Sequence, residues 1–401
     1  MRALVYDLSI PRYVAALATQ RKVPSLLYGK LASLQLREVP EPTLPGPDWV
    51  SLRPRRTGLC GSDLGAIFYK MSPSMSVFAS LPAVLGHEIL ADVVEVGAGA
   101  KGTTKAGDRV VIDPVLSCLT RGMAPCRACA AGAYGRCERH SDGRGALLGF
   151  SKEFPGGFSE RIVAHKSQIF VVPGAIDDDV GVLTEPVAVS VHGVMTHPPR
   201  TGESILVIGG GVIAFTTLWA LKQLHPSCRV ALFATEPYQL DVARSLGADV
   251  AFGPGDLLAL GARDQETTEL KPVIGRGLLS RGYDRVFDCI GSPRSLDDAL
   301  RVTAPGGAIV LVGAAGEIPK IDLSPIWSRE ISLEGTAYYG NEDHLGQRAR
   351  TFAITLELLA SHGASLGALV THRLPLERYG EAIRVSVERS ATRSVKAVLV
   401  P

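Results

Sequence analysis

The 401-residue chain has no dense basic block and almost no net charge. Its 42 basic residues against 40 acidic ones leave +2, which excludes the electrostatic footprint of a nucleic-acid binder. Internal repeats and low-complexity tracts are absent. So is a charged-then-apolar leader, because residues 1–13 are broken by Asp7, Pro11 and Arg12. A cytoplasmic location is therefore expected. Long apolar runs are scarce too. Only residues 204–221, SILVIGGGVIAFTTLWAL, lack charge over a length near the lower limit for crossing a bilayer. A triple glycine splits that run into a short strand and an amphipathic helix, so no membrane span is expected. Seven cysteines make an odd count, and in a reducing compartment clustered thiols are metal ligands more often than disulfides.

What is present is an ordinary globular balance, 46% apolar and 20% charged, over a length suited to two or three domains. Four of the cysteines, Cys118, Cys126, Cys129 and Cys137, fall at C-x7-C-x2-C-x7-C among small, basic and glycine residues. Four thiolates this close in sequence can close a tetrahedral shell around one zinc ion. The segment has little apolar content of its own, so a metal would hold it together.

The first 190 residues read as β-rich. Short apolar runs at 3–6, 49–53, 89–96, 109–112, 159–163 and 169–172 are separated by glycine and proline. Beyond them strands alternate with helical patterns: strand 204–208 and a helix to 225, strand 229–233 and a helix to 246. Further segments follow at 284–288, 295–302, 308–312 and 331–336. Such alternation predicts a parallel sheet with helices on both faces. A helix at 348–362 and a β-like ending at 394–400 complete the chain. The expected organisation is a β-rich domain over 1–190 with the cysteine lobe at about 115–140, an α/β domain over 191–337, and a return to the first domain over 338–401.

Gly209, Gly210, Gly211, Val212, Ile213 and Ala214 follow a strand and open a helix, matching G-x-G-x-x-A. The first glycine permits the tight turn, the second lets pyrophosphate reach a helix N-terminus, and Ala214 serves helix–strand packing. The end of the second strand, where an acidic residue would bind the ribose of NAD, is Ala234. Thr235 and Glu236 follow, with no Arg or Lys at once, so the cofactor is NAD or NADP.

A second cluster lies earlier. Cys60 stands in a Gly-rich turn with Ser62 and Asp63, Gly86-His87-Glu88 precedes a strand, and Glu185-Pro186 sits at the end of the first domain. Each residue alone has an ordinary reading: a buried thiol, a satisfied loop histidine, a helix N-terminal charge. Together Cys, His and carboxylate form a mixed shell suited to a catalytic zinc with an open position.

With these motifs the chain resembles the zinc-dependent medium-chain alcohol dehydrogenase family. The resemblance rests on LCGSD (59–63), LGHE (85–88), GDRVVIDP (107–114), the cysteine lobe, TEPVAVSVHG (184–193), the glycine turn, FDCIGSP (287–293) and APGGAIVLVG (304–313). It implies an α/β chain with a GroES-like catalytic domain, a Rossmann domain and an active site in the cleft between them. It also implies two zinc ions per chain. Cys60, His87 and an acidic residue would hold the catalytic zinc. The Glu185-Pro186 form resembles the polyol, sorbitol-type branch, in which Glu88 ligates directly and Glu185 is a ligand or bonds the zinc-bound water. Asp63 would orient His87, and Ser62 would relay the proton outward while hydride passes to nicotinamide. The implied substrate is a small secondary alcohol, polyol or cyclitol, or the matching carbonyl. The implied assembly is a homodimer or homotetramer. Two other readings compete: a zinc-independent carbonyl or enoyl reductase, and a non-catalytic zinc protein that binds dinucleotide.

The chain departs from the family pattern in three ways. A relay histidine common five residues after the first zinc cysteine is here Gly65. Residues 119–125 lengthen the gap between the first two lobe cysteines by five. Added stretches lie near 11–33 and over 64–85, and the second carries Phe68, Tyr69, Met71, Met75 and Phe78, which line the substrate pocket or simply pack.

Overall fold

A computed structural model describes residues 1–8, 11, 13–14, 32–314, 316–318 and 320–401. Most of the added stretch near 11–33 lies outside the described residues. The chain divides into two compact units, Met1–Glu185 with Tyr339–Pro401, and Pro186–Tyr338.

The first unit is built on a seven-stranded sheet. Six strands run in the order Val370–Pro375, Lys396–Val400, Trp49–Gly58, Glu88–Val96, Arg109–Ile112, Ile169–Val171, and Ile162–His165 pairs with the long central strand. Trp49–Gly58 shows why it belongs inside: Val50 and Leu52 are buried while Arg53 and Arg55 face solvent, the period of two that a half-buried strand needs. Trp49 stacks on Phe154 with ring centroids 4.9 Å apart, and Leu52, Ile89, Val110 and Ile162 fill the same core. A second sheet sets Arg2–Tyr6 between Leu34–Glu38 and Ala83–Val84.

The second unit is a six-stranded sheet with every pairing parallel. Its order is Val250–Phe252, Arg229–Phe233, Ser204–Ile208, Tyr283–Asp288, Thr303–Leu311, Ser332–Gly335. Numbered along the chain this is 3-2-1-4-5-6, the doubly wound order, whose direction reverses beside the first strand. The apolar run at 204–221 is divided as its glycines require, into Ser204–Ile208 and the helix Val212–Leu224.

Some elements left no mark in the sequence reading. The hairpin Asn341–His344 with Gln347–Arg350 is one, because NEDH and QRAR carry no apolar alternation; it takes the start of the helix expected at 348–362, which begins instead at Thr351. The turn holding Cys60 is in fact the N-terminus of a helix, Gly61–Ile67, with Cys60 as its cap. Asp63 bonds back to the Cys60 amide at 2.9 Å, which fixes the chain's entry into that helix.

Candidate metal and dinucleotide sites

Three strand ends of the first unit converge on one small site. Trp49–Gly58 ends just before Cys60, Glu88–Val96 begins just after His87, and Lys396–Val400 begins beside both. Donor atoms of Cys60, His87 and Glu88 lie within 4.8 Å of one another. Glu185 is outside that close group, at the start of the helix Thr184–Thr196, with its Oε1 accepting a 2.6 Å bond from the buried Tyr339 hydroxyl.

His87 has a neighbour on each ring nitrogen. Its Nδ1 faces Asp63 Oδ1 at 3.6 Å and its Nε2 lies 3.4 Å from the Ser62 hydroxyl. Among the described residues, neither Asp63 Oδ1 nor His87 Nδ1 completes a hydrogen bond, although both atoms are buried. Burial alone would lower the basicity of His87, but the charges of Asp63 and Cys60 outweigh it and raise it well above the ordinary value. A buried imidazole between a carboxylate and a thiol is a site for a cation, and a metal competes there with the proton.

The two carboxylates are treated differently. Glu88 is fully buried, and both of its oxygens lie 2.7 Å from the ammonium of Lys396, itself 2% exposed. Lys396 also donates to the Leu59 carbonyl at 3.2 Å. Gly58 makes this possible: a Cβ there would come within 1.8 Å of Glu88 Oε2. Among the described residues no cation is in contact with Glu185, and Lys396 acts on it only from a distance. Burial pushes its carboxyl up to about 7, the Glu88 charge adding to the rise and His87 and Tyr339 opposing it. Lys396 and Tyr339 were both missed in the sequence. A lysine opening the apolar run KAVLV was the available signal for the first; nothing local marks the second.

The four lobe cysteines have the spacing of a metal shell. Cys118 and Cys137 sulfurs lie 3.7 Å apart and those of Cys126 and Cys137 4.0 Å apart. A tetrahedron with zinc–sulfur bonds of 2.3 Å has edges of about 3.8 Å. All seven cysteines of the chain are free thiols. The Cys126 amide points at the Cys118 sulfur (3.4 Å) and the Cys129 amide at the Cys126 sulfur (3.5 Å), as thiolates require. The lengthened loop at 119–125 turns straight back: Met123 bonds the Cys118 carbonyl at 3.0 Å. The Arg121 side chain is wholly buried, donates to the Gly145 carbonyl at 2.7 Å and pairs with Asp142 at 3.2 Å.

In the added stretch, Phe68, Tyr69 and Met71 pack into the core around Ile67 and Phe150, while Met75 is exposed. A Cβ on Gly65 would come within 3.0 Å of Met71 Cγ, so a side chain at that position needs Met71 to shift.

In the second unit the glycine turn leaves the central strand Ser204–Ile208 at the point where strand order reverses. Gly209 has φ of +140°, outside the range of ordinary side chains, and a Cβ on it would already be 3.2 Å from that of buried Ala214. Gly211 caps the helix Val212–Leu224, whose exposed amides face any anion placed there. Ala234 is buried at the end of Arg229–Phe233, and Thr235 is exposed. Glu236 caps the helix Pro237–Ser245.

Comparisons with known proteins give the family of each unit. A model of the alcohol dehydrogenase GroES-like domain matches residues 46–174, and a model of the zinc-binding dehydrogenase family matches residues 223–360. L-idonate 5-dehydrogenase of Vitis vinifera is 28% identical over 82% of this chain and 81% of its own length. Human sorbitol dehydrogenase is 28% identical over 92% of this chain and 94% of its own. A zinc-binding dehydrogenase structure from Sinorhizobium meliloti bound to NADP superposes with a TM-score of 0.72, at 26% identity, over 92% of this chain and 96% of its own.

Proposed function

The chain belongs to the zinc-dependent medium-chain alcohol dehydrogenase family, and we propose that it interconverts a small secondary alcohol, polyol or cyclitol with its carbonyl, using NAD or NADP. The observation that carries this reading is the pairing of a mixed Cys60, His87 and carboxylate cluster with a separate four-thiol shell. A non-catalytic zinc protein needs only the second.

The residues fit the metal. Cys118, Cys126, Cys129 and Cys137 would hold a structural zinc. Cys60 and His87 would hold the catalytic one with Glu88 or Glu185 as the carboxylate. Bound there, zinc supplies Lewis acidity that makes an alcohol easier to deprotonate, and the nicotinamide cofactor supplies the hydride chemistry. Asp63, facing His87 Nδ1 at 3.6 Å, would orient the ring that holds the metal. The Ser62 hydroxyl, beside His87 Nε2, carries the released proton away from the site. Lys396 cancels the Glu88 charge, so the cluster is spared one net negative charge in a dry environment. Glu185 stands at the start of its helix with its Oε1 fixed by the Tyr339 hydroxyl.

The first unit is the GroES-like catalytic domain on this reading, and the second is the Rossmann domain. Seven thiols without a disulfide suit a reducing compartment such as the cytoplasm. A homodimer or homotetramer is the expected assembly, read by light scattering.

The test combines metal analysis with a panel of alcohols assayed with both cofactors. Two zinc ions per chain are expected. Cys60→Ala should keep one zinc and lose roughly a thousandfold or more in turnover. An active Cys60→Ala protein, or no turnover across the panel, would overturn the assignment.

A further inference from the structure

We propose that, on the catalytic reading of the Cys60 and His87 cluster, Tyr69 is a positioning residue. It fixes the helix that presents Cys60, Ser62 and Asp63 to His87.

The helix Gly61–Ile67 has seven residues, too few to hold itself without tertiary contacts. Cys60 caps it, and Ser62 and Asp63 lie in its first turn. Its direction therefore decides how far Ser62 and Asp63 stand from the His87 ring, 3.4 and 3.6 Å. Both distances are long for hydrogen bonds, so a small rotation of the helix would separate the groups. The last turn is closed in an unusual way. The Tyr69 amide bonds the Ala66 carbonyl at 3.1 Å, and the Lys70 amide bonds the Gly65 carbonyl at 2.8 Å. That pattern needs a left-handed residue just past the helix, a position glycine ordinarily fills. Here it is Tyr69, with φ of +54°. A bulky residue is disfavoured in this conformation, and such strain persists only where the surrounding contacts impose it.

Those contacts come from the Tyr69 side chain. Its hydroxyl shares a 2.5 Å hydrogen bond with Ser33 Oγ, and its ring stands edge-on to Tyr13 with centroids 5.2 Å apart. Ser33 is buried and anchored in turn, its carbonyl accepting the Asp7 amide at 2.8 Å beside the paired strands Arg2–Tyr6 and Leu34–Glu38. From the same sheet the buried Tyr6 hydroxyl donates to the Ala66 carbonyl at 2.9 Å. One tyrosine reaches from sheet to helix and the other from helix to sheet, with Ile67 and Phe68 buried in the core they share. The helix can neither turn nor slide without breaking one of these two bonds. The two stretches that depart from the family pattern thus meet at one residue. Tyr13 and Ser33 stand near the ends of the first, and Tyr69 lies in the second. They reach the reacting groups through the helix, from the end opposite Cys60.

The experiment pairs kinetics with a spectrum. Tyr69→Phe keeps the ring and removes the bond to Ser33, and Ser33→Ala removes the same bond from its other side. Each should lower kcat about fivefold, the worth of one neutral hydrogen bond, with KM moving less than about twofold and both zinc ions retained. The double variant should be no slower than either single one, because the same bond is lost only once. The spectrum separates orientation from stability. With cobalt exchanged for the zinc of the Cys60 and His87 site, the visible bands, identified by their absence from Cys60→Ala, should shift in both variants. Full kcat with unshifted bands in Tyr69→Phe would overturn the proposal. So would a fall in kcat matched by a loss of zinc, or effects that add in the double variant. If Tyr69→Phe does not fold, Ser33→Ala, which removes only a hydroxyl, decides by the same readings. An unaltered chain that takes up cobalt but turns over no alcohol would strike the proposed function instead, and the band shift alone would then decide the role of Tyr69.

Discussion

A lysine and a glutamate sealed from water are the most consequential pair in the first unit. Taking both charges out of solvent is costly, and their mutual attraction at 2.7 Å, with the bond from Lys396 to the Leu59 carbonyl, offsets it. Removing one partner leaves the other stranded. Lys396→Met should therefore cost about 3–5 kcal/mol in a urea unfolding titration, far more than a surface lysine would. Gly58 has a matching sensitivity. Gly58→Ala pushes a methyl group into the Glu88 carboxylate, so the zinc count should fall from two toward one and activity should fall with it. A Gly58→Ala protein with two zinc ions and full activity would show that Glu88 has room to move.

At the scale of elements, the cysteine lobe does more than hold itself together. The Gly135 amide bonds the Tyr339 carbonyl at 3.1 Å, and Arg348 donates to the Ala131 carbonyl at 2.7 Å. Arg350 lies 4.5 Å over the Tyr134 ring. The lobe thus braces the segment that carries Tyr339, and the Tyr339 hydroxyl in turn holds Glu185. A hydrogen bond to a charged group contributes about 1.5–3 kcal/mol, so Tyr339→Phe should lower turnover roughly ten- to a hundredfold while both zinc ions stay bound. Cys129→Ser attacks the same path from its far end. It should release the structural zinc, open the lobe to protease, and reduce activity although Cys60 and His87 are untouched. Full activity in the one-zinc Cys129→Ser protein would disconnect the lobe from Glu185.

At the scale of the whole molecule, two histidines make acid stability a shared property of both units. Burial lowers the basicity of His165 in the first unit, where Lys166 acts with it and Asp48 against it. Burial also lowers His225 in the second, with Arg285 adding to the effect. A base weakened by folding is stabilising while neutral. Its contribution is full above its unfolded value of about 6.5 and is lost as pH falls below that. Measured by chemical unfolding at pH 7.5 and 5.5, His165→Gln and His225→Gln should each shift the difference in stability between the two pH values in favour of the acid value, relative to the unaltered chain.

The sequence by itself determined the chemistry available and the order in which it appears. Cysteine spacing, the glycine turn and the Gly86-His87-Glu88 run were legible because each is local: metal ligands close in sequence, and a turn that only glycine can make. The alternating strands and helices of the second unit were legible for the same reason, their periodicity being written into consecutive residues. Tertiary structure alone decided what those residues face. Lys396 meets Glu88 across 308 positions, and Tyr339 meets Glu185 across 154. No pattern in one segment announces such partners, because burial and strand order bring them together rather than sequence spacing. Even for Gly65, a departure from the family pattern in sequence, only the fold shows the neighbour, Met71, that a larger side chain would meet.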